Sequence, residues 1–148
     1  MDLMDLVKLR TLKPEDLDAI AEIDRAILGT PRPEYWKERI AAIESHSGIA
    51  PILAELDGKV VGFVIGEASG WEYGVPEEVG WIHTVGVDPE YQGQGVGAIM
   101  LHEMLSNMKK VGVTMVYTFV NWKEAALLRF FDRMGFDCGE MINLQKRL

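Results

Sequence analysis

The hydrophobic period of the chain changes several times, and each change marks an element. Val7-Lys8-Leu9-Arg10 alternates apolar and polar residues, the period of a short strand. Pro14 then opens a helix, with Glu15 and Asp16 where the helix dipole favours negative charge. Leu17, Ile20, Ala21, Ile27 and Leu28 recur at helical spacing and give that helix one apolar face, with Asp24 as its polar exception; Gly29 and Pro31 end it. A second helix is predicted near Pro33, with Trp36, Ile40 and Ile43 on its buried side. The period then falls to two. Ile52 to Leu56 and Lys59 to about Ala68 read as strands joined by Asp57-Gly58, a two-residue hairpin turn whose glycine tolerates positive φ. Ser69 to Glu78 reads as a loop, and Trp81 to Val87 as a strand stopped by Asp88-Pro89. A helix follows Gly97 as far as about Val111, with Gly112 as its cap. Thr114 to Val120 is β-branched and aromatic, hence a strand, and Glu124 to Met134 is a helix ended by Gly135. The stretch from Phe136 is compatible with one or two closing strands.

The order β-α-α-β-β-β-α-β-α-β puts hairpins in the middle and a βαβ unit in the C-terminal half. It predicts a mixed α/β (α+β) layered domain, not a regular doubly wound sheet. A length of 148 residues fits one domain, 1–148, able to build a core without disulfide or metal. The lone cysteine, Cys138, excludes an internal disulfide and reads as a small core or strand residue. No apolar run approaches the roughly 20 residues of a membrane span. Met1 to Asp5 has neither the basic nor the apolar segment of a secretory leader, so a cytoplasmic setting is expected.

Asp and Glu number 23 against 15 Lys and Arg, a net charge of −8. Phosphate contacts need clustered cations, so nucleic acid is not an expected partner. The acidic field keeps the chain soluble and favours cationic small molecules or basic peptide segments.

Val85 to Ala98 carries the most chemistry. A strand ends, a short turn follows, and glycines open a helix whose first N–H groups lack intrahelical partners. That arrangement suits a phosphate or pyrophosphate. The ATP-loop pattern requires Gly-Lys-Ser/Thr, which Gly97-Ala98-Ile99 lacks. Gly93-Gln94-Gly95-Val96-Gly97-Ala98 matches the dinucleotide fingerprint literally. It does not open the first βαβ unit, however, and Val111 to Val120 holds no acid for a ribose.

Gln92-x-x-Gly95-x-Gly97, directly after Val85-Gly86-Val87-Asp88-Pro89, resembles the acyl-CoA-binding motif of the GNAT acetyltransferase superfamily. The early helix pair, the Asp57-Gly58 hairpin, the motif strand and helix, and the Phe130-Phe131-Asp132-Arg133-Met134-Gly135-Phe136 ending fall in the family order. The resemblance implies an acyl-CoA N-acyltransferase fold, a central mostly antiparallel sheet with helices on both faces. It implies acetyl transfer from acetyl-CoA to an amine by direct attack. Val85 and Val87 would lie beside the pantetheine arm. Gln92, Gly93, Gln94, Gly95, Val96, Gly97 and Ala98 would form the pyrophosphate cradle. A backbone N–H near Val85 would polarise the carbonyl. Partners expected on this basis are an amine-bearing small molecule or peptide and a second copy of the chain in a homodimer, with no nucleic acid, membrane or metal. The alternative is an acyl-CoA-binding regulatory module without turnover.

Two slots depart from the family. The tyrosine that many members carry four residues before the glycine of the Gly-Phe ending is Phe131 here, so that general acid is missing. The asparagine that many carry eleven residues before that glycine is Glu124, with Asn121 three residues too early. For the base, His83 is the first candidate. On a strand, Trp81, His83, Val85 and Val87 share one face, arylalkylamine-type members place a histidine at this slot, and an imidazole takes a proton near neutral pH. Glu72 and Glu67 are further candidates, Glu72 also as an anchor for a cationic acceptor. Met100, Met104 and Met108 read as core packing, His102 as surface, and Tyr35 and Trp36 as either core or acceptor-pocket residues.

Overall fold

Asp57 and Gly58 both take positive φ, 50° and 78°, and pair Leu56 directly with Lys59. That is the conformation a two-residue hairpin turn demands. The computed structural model describes residues 2–46, 48–70 and 78–148. It divides into two units, Met1–Thr118 and Phe119–Leu148.

The first unit runs α1 (Leu3–Leu6), β1 (Lys8–Thr11), α2 (Leu17–Leu28), α3 (Pro33–His46), β2 (Ile52–Leu56), β3 (Lys59–Gly70), β4 (Glu78–Val87), α4 (Val96–Lys110) and β5 (Met115–Thr118). The strands form one sheet in the order β1-β2-β3-β4-β5. Neighbours are antiparallel except β4 and β5, which are parallel. The turn at Pro14 is a single 3-10 turn before α2, and α3 continues through Ser45 and His46.

Helices cover both faces of this sheet, and each face has its own packing logic. On one, Ile20 and Ile23 of α2 and Trp36 and Ile40 of α3 close over Leu53, Phe63 and Ile65. Trp36 is fully buried and meets the Phe63 ring edge-on at 5.4 Å, so it is a core residue. Such an aromatic pair adds about 0.5–1.5 kcal/mol beyond its buried area. Asp24, the exception in the α2 stripe, is buried under a two-point hydrogen bond from Arg32, at 2.8 and 3.0 Å, which ties the end of α2 to the start of α3.

On the other face, Met100, Met104 and Met108 of α4 are fully buried. They lie against bare backbone: a Cβ built on Gly62, Gly66 or Gly80 would come within 2.8, 2.8 or 2.7 Å of Met100 or Met108. Alanine at any of the three overpacks the layer, at about 1–3 kcal/mol.

In the second unit, Asn121 Oδ1 accepts from the Lys123 N–H at 2.9 Å in the turn leading to α5 (Ala125–Arg133). Phe131 is buried and edge-on to Phe130 and Phe136, at 5.2 and 5.1 Å. Gly135, at φ 90°, ends the helix. The closing strands suggested by the sequence do not form: residues 136–148 are irregular, and Ile142 and Leu144 are more than four-fifths exposed. Asp137, Gly139 and Glu140 break up the apolar run, and alternation supplies no ladder partner by itself. Cys138 is exposed and not a core residue.

Candidate active site

The register of β3 against β4 contains one irregularity. Ile65 pairs with Thr84 and Gly66 with Ile82, so His83 has no partner of its own. A bulge inserts one residue and reverses the alternation beyond it. The glycines record the reversal. A Cβ on Gly80 would meet Met108, under α4, whereas one on Gly86 would meet the Phe63 ring, under α2 and α3. Pairing extends this to their neighbours: Trp81 lies opposite Glu67 on the α2–α3 face, and Val85 and Val87 lie opposite Val64 and Gly62 on the α4 face. The expectation that Trp81, His83, Val85 and Val87 share one face is therefore corrected.

The bulge sits where the sheet opens. The parallel ladder of β4 with β5 runs from Val79↔Met115 to Ile82↔Thr118 and stops, with Thr118 Oγ1 donating to the Ile82 carbonyl at 2.9 Å. From His83 to Val87, β4 has β3 as its only ladder partner among the described residues. Its other edge presents main-chain donors and acceptors, as an extended arm lying alongside requires.

The glycine turn follows this free edge. Gly93 and Gly95 take φ of 76° and 92°, accessible to glycine at little cost. Gly95 is the N-cap of α4 and offers no side-chain oxygen to the first N–H groups of this 15-residue helix, whose first turn carries no acid. Those donors are free for an anion. Gln92 Nε2 donates to the Val87 carbonyl at 2.9 Å and Gln94 Nε2 to the Glu90 carbonyl at 3.3 Å, so both amides brace the turn. Met4 of α1, which the sequence pattern did not reveal, rests its thioether against the turn, 3.0 Å from where a Gly95 Cβ would stand.

His83 Nε2 lies 2.9 Å from Glu67 Oε2, both side chains being about one-third exposed. An ionised carboxylate only accepts, so in this contact the imidazole donates from Nε2. The pair lines a cavity of about 130 Å³ whose other walls include Arg39, Ala42 and Ile43 of α3. A larger cavity, about 450 Å³, lies at the C-terminal end of α4 around Leu105, Met108 and Val113, and neither the glycine turn nor His83 lines it.

Glu72 lies outside the described residues. Tyr35 is partly exposed beneath the Arg32 guanidinium, 4.1 Å from its ring centre. Asn121 is occupied with its own turn, and Phe131 carries no proton to give. Among the described residues no cluster of three or more His, Cys, Asp and Glu is placed to hold a metal ion, and no helix is long and apolar enough to cross a membrane. The sequence pattern missed Arg39 and the partnership of Glu67 with His83, because both depend on which strands and helices adjoin.

The sequence profile of the acetyltransferase (GNAT) family matches residues 17–136. An uncharacterised N-acetyltransferase of Methanocaldococcus jannaschii is 27% identical, over 96% of this chain and 67% of its own length. A mycothiol acetyltransferase of Thermomonospora curvata is 30% identical over 89% of this chain, which spans only 44% of that relative. Among solved structures, an aminoglycoside N-acetyltransferase in complex with CoA superposes with a TM-score of 0.81 at 12% identity, over 95% of this chain and 94% of that one, a likeness of fold. With the family profile spanning residues 17–136, most of the chain, the protein belongs to the GNAT acetyltransferase family of acyltransferase enzymes.

Proposed function

We propose that the protein transfers an acetyl group from acetyl-CoA to a primary amine by direct attack, with His83 as general base. The observation that carries this reading is the His83–Glu67 hydrogen bond at the bulge, where the β4–β5 ladder ends and the free edge of β4 leads to an uncapped helix N-terminus.

The N–H groups at the start of α4, from Val96 to Ala98, hold the pyrophosphate, with Gly93 and Gly95 allowing its close approach. Val85 and Val87 align the pantetheine arm through their main chain. An acceptor amine arrives mostly as ammonium and attacks only after losing a proton. His83 Nδ1 takes that proton, directly or through one water, while Glu67 holds the ring in the tautomer that leaves Nδ1 free. A main-chain N–H beside the bulge meets the negative charge that develops on the carbonyl oxygen. As the new C–N bond forms and the C–S bond breaks, the second proton shed by the nitrogen balances the one gained by sulfur. A thiol, with a reference pKa of about 8.5, leaves without a dedicated acid, which accommodates Phe131 at the usual tyrosine slot.

The experiment is an acetylation assay over a panel of amines, read by mass spectrometry and by thiol release. Stoichiometric N-acetylation supports the proposal. Tight acetyl-CoA binding without transfer to any amine contradicts it and favours a regulatory module.

A further inference from the structure

The cavity beside His83 contains a cation that the acetyl-transfer chemistry does not use. The first unit has four arginines: Arg10 is paired with Asp16 and Glu55, Arg25 with Glu22, and Arg32 with Asp24. Arg39 is the fourth. Among the described residues it has no ion pair, and its Nε is shut off from solvent without a hydrogen-bond partner. In a chain with 23 carboxylates and a net charge of −8, a guanidinium on a cavity wall with no ion pair among the described residues needs a reason. A buried donor without a partner is a cost to the fold that a ligand acceptor removes.

The opposite wall supplies the complement. Glu67 and His83 belong to β3 and β4 and Arg39 to α3, and all three line the same cavity of about 130 Å³. Its remaining lining, including Ala42, Ile43 and Ile65, is apolar. One wall therefore attracts an oxyanion and the other an ammonium, the charge pattern of a small zwitterion. The guanidinium fork matches the two oxygens of a carboxylate or phosphate, which a lysine does not reproduce.

We infer that Arg39 determines acceptor specificity, anchoring the oxyanion of a small amine whose nitrogen is turned toward His83. The substrate class is then a small primary amine bearing a carboxylate or phosphate, not a polycation. This rests on the amine-acetylation reading above and narrows it.

The test compares matched acceptors: amino acids, their primary amides, the corresponding decarboxylated amines, and aminoalkyl phosphates. Each is assayed with wild type, Arg39→Met, which keeps an apolar stem, and Arg39→Lys, which keeps the charge. Wild type is expected to prefer the oxyanion-bearing member of each pair by tenfold or more in kcat/KM, mainly through KM. Arg39→Met is expected to bring that ratio close to one and Arg39→Lys to leave it intermediate. The better of the amino acid and aminoalkyl phosphate arms identifies the oxyanion, and either supports the inference. A wild type that uses amides or decarboxylated amines equally well overturns it, as does an unchanged preference in Arg39→Met.

Calorimetric titration of the same compounds into the acetyl-CoA-loaded proteins separates the two levels. If no amine is acetylated, the activity proposed above fails. Oxyanion-dependent binding that is lost in Arg39→Met still supports the Arg39 site, and equal binding of acid and amide overturns it. Acetyl-CoA affinity and the thermal unfolding midpoint report whether each variant is folded.

Discussion

His83 donates from Nε2 to Glu67 Oε2 across 2.9 Å, and the two residues sit sixteen positions apart on neighbouring strands. Glu67 pairs with Trp81, and His83, two residues beyond Trp81 and unpaired at the bulge, shares a cavity with Glu67 and α3. Glu67 is thus a positioning residue in the proposed reaction, acting through the histidine.

Glu67→Gln tests that role. A glutamine also offers N–H donors, so it no longer dictates which imidazole nitrogen carries the hydrogen. We expect kcat to fall by about 10–100-fold, the range for disturbing an orienting partner, with acetyl-CoA affinity unchanged and the acid limb of the rate profile displaced. Glu67→Asp should recover part of the rate. A merely structural Glu67 would change the unfolding midpoint and leave the pH profile alone.

The glycine turn makes a separate prediction for the cosubstrate. Gly95→Asp combines a negative charge with a strained φ of 92° and a Cβ 3.0 Å from the Met4 thioether. Gln94→Glu adds the charge at an exposed site without backbone strain, and removes the Nε2 donor to the Glu90 carbonyl. Both should weaken acetyl-CoA binding in equilibrium titration, Gly95→Asp by more than about tenfold, or roughly 1.4 kcal/mol. Wild-type affinity in a folded Gly95→Asp protein would remove the cradle from this turn.

Acid stability depends on two buried carboxylates. The Arg10 guanidinium, helped by the Lys13 N–H, holds Asp16 below the ordinary aspartate range, and Arg32 does the same for Asp24. Folded values below unfolded ones mean that this stabilisation is complete above the unfolded pKa, about 3.9. It is lost as pH falls through the lower folded values. Asn at both positions should therefore lower stability at neutral pH and flatten its decline below about pH 4. We expect about 1–3 kcal/mol per site, toward the lower end because Arg10 and Arg32 are 28% and 42% exposed. Urea unfolding across pH measures it, and an acid slope identical to wild type would contradict it.

Much of the fold was legible because it is written in local signals. Leu17, Ile20 and Leu28 announce α2, Asp57-Gly58 announces its hairpin, and Gly112 and Gly135 mark helix ends through positive φ. The glycine turn was legible for the same reason. The bulge was not, since no proline interrupts Trp81 to Val87 and only pairing with Ile65 and Gly66 shows that His83 is the inserted residue. Asp24 looked like a polar intruder until Arg32, eight residues on, was seen to fold back onto it. Arg39 drew no notice because a charged residue in a helix ordinarily faces water. The tail after Phe136 misled in the opposite sense, its apolar residues suggesting strands that a ladder partner would have had to complete.

The most direct test of the central claim is the pH dependence of single-turnover acetyl transfer in His83→Ala, with acetyl-CoA binding measured in parallel. A positioned base contributes about 10²–10⁴-fold, or roughly 3–5 kcal/mol of barrier. The account predicts a rate loss in that range, disappearance of the acid limb of the profile, and near-wild-type acetyl-CoA affinity. Wild-type turnover with an unchanged profile would contradict it and leave His83 a structural residue of the bulge.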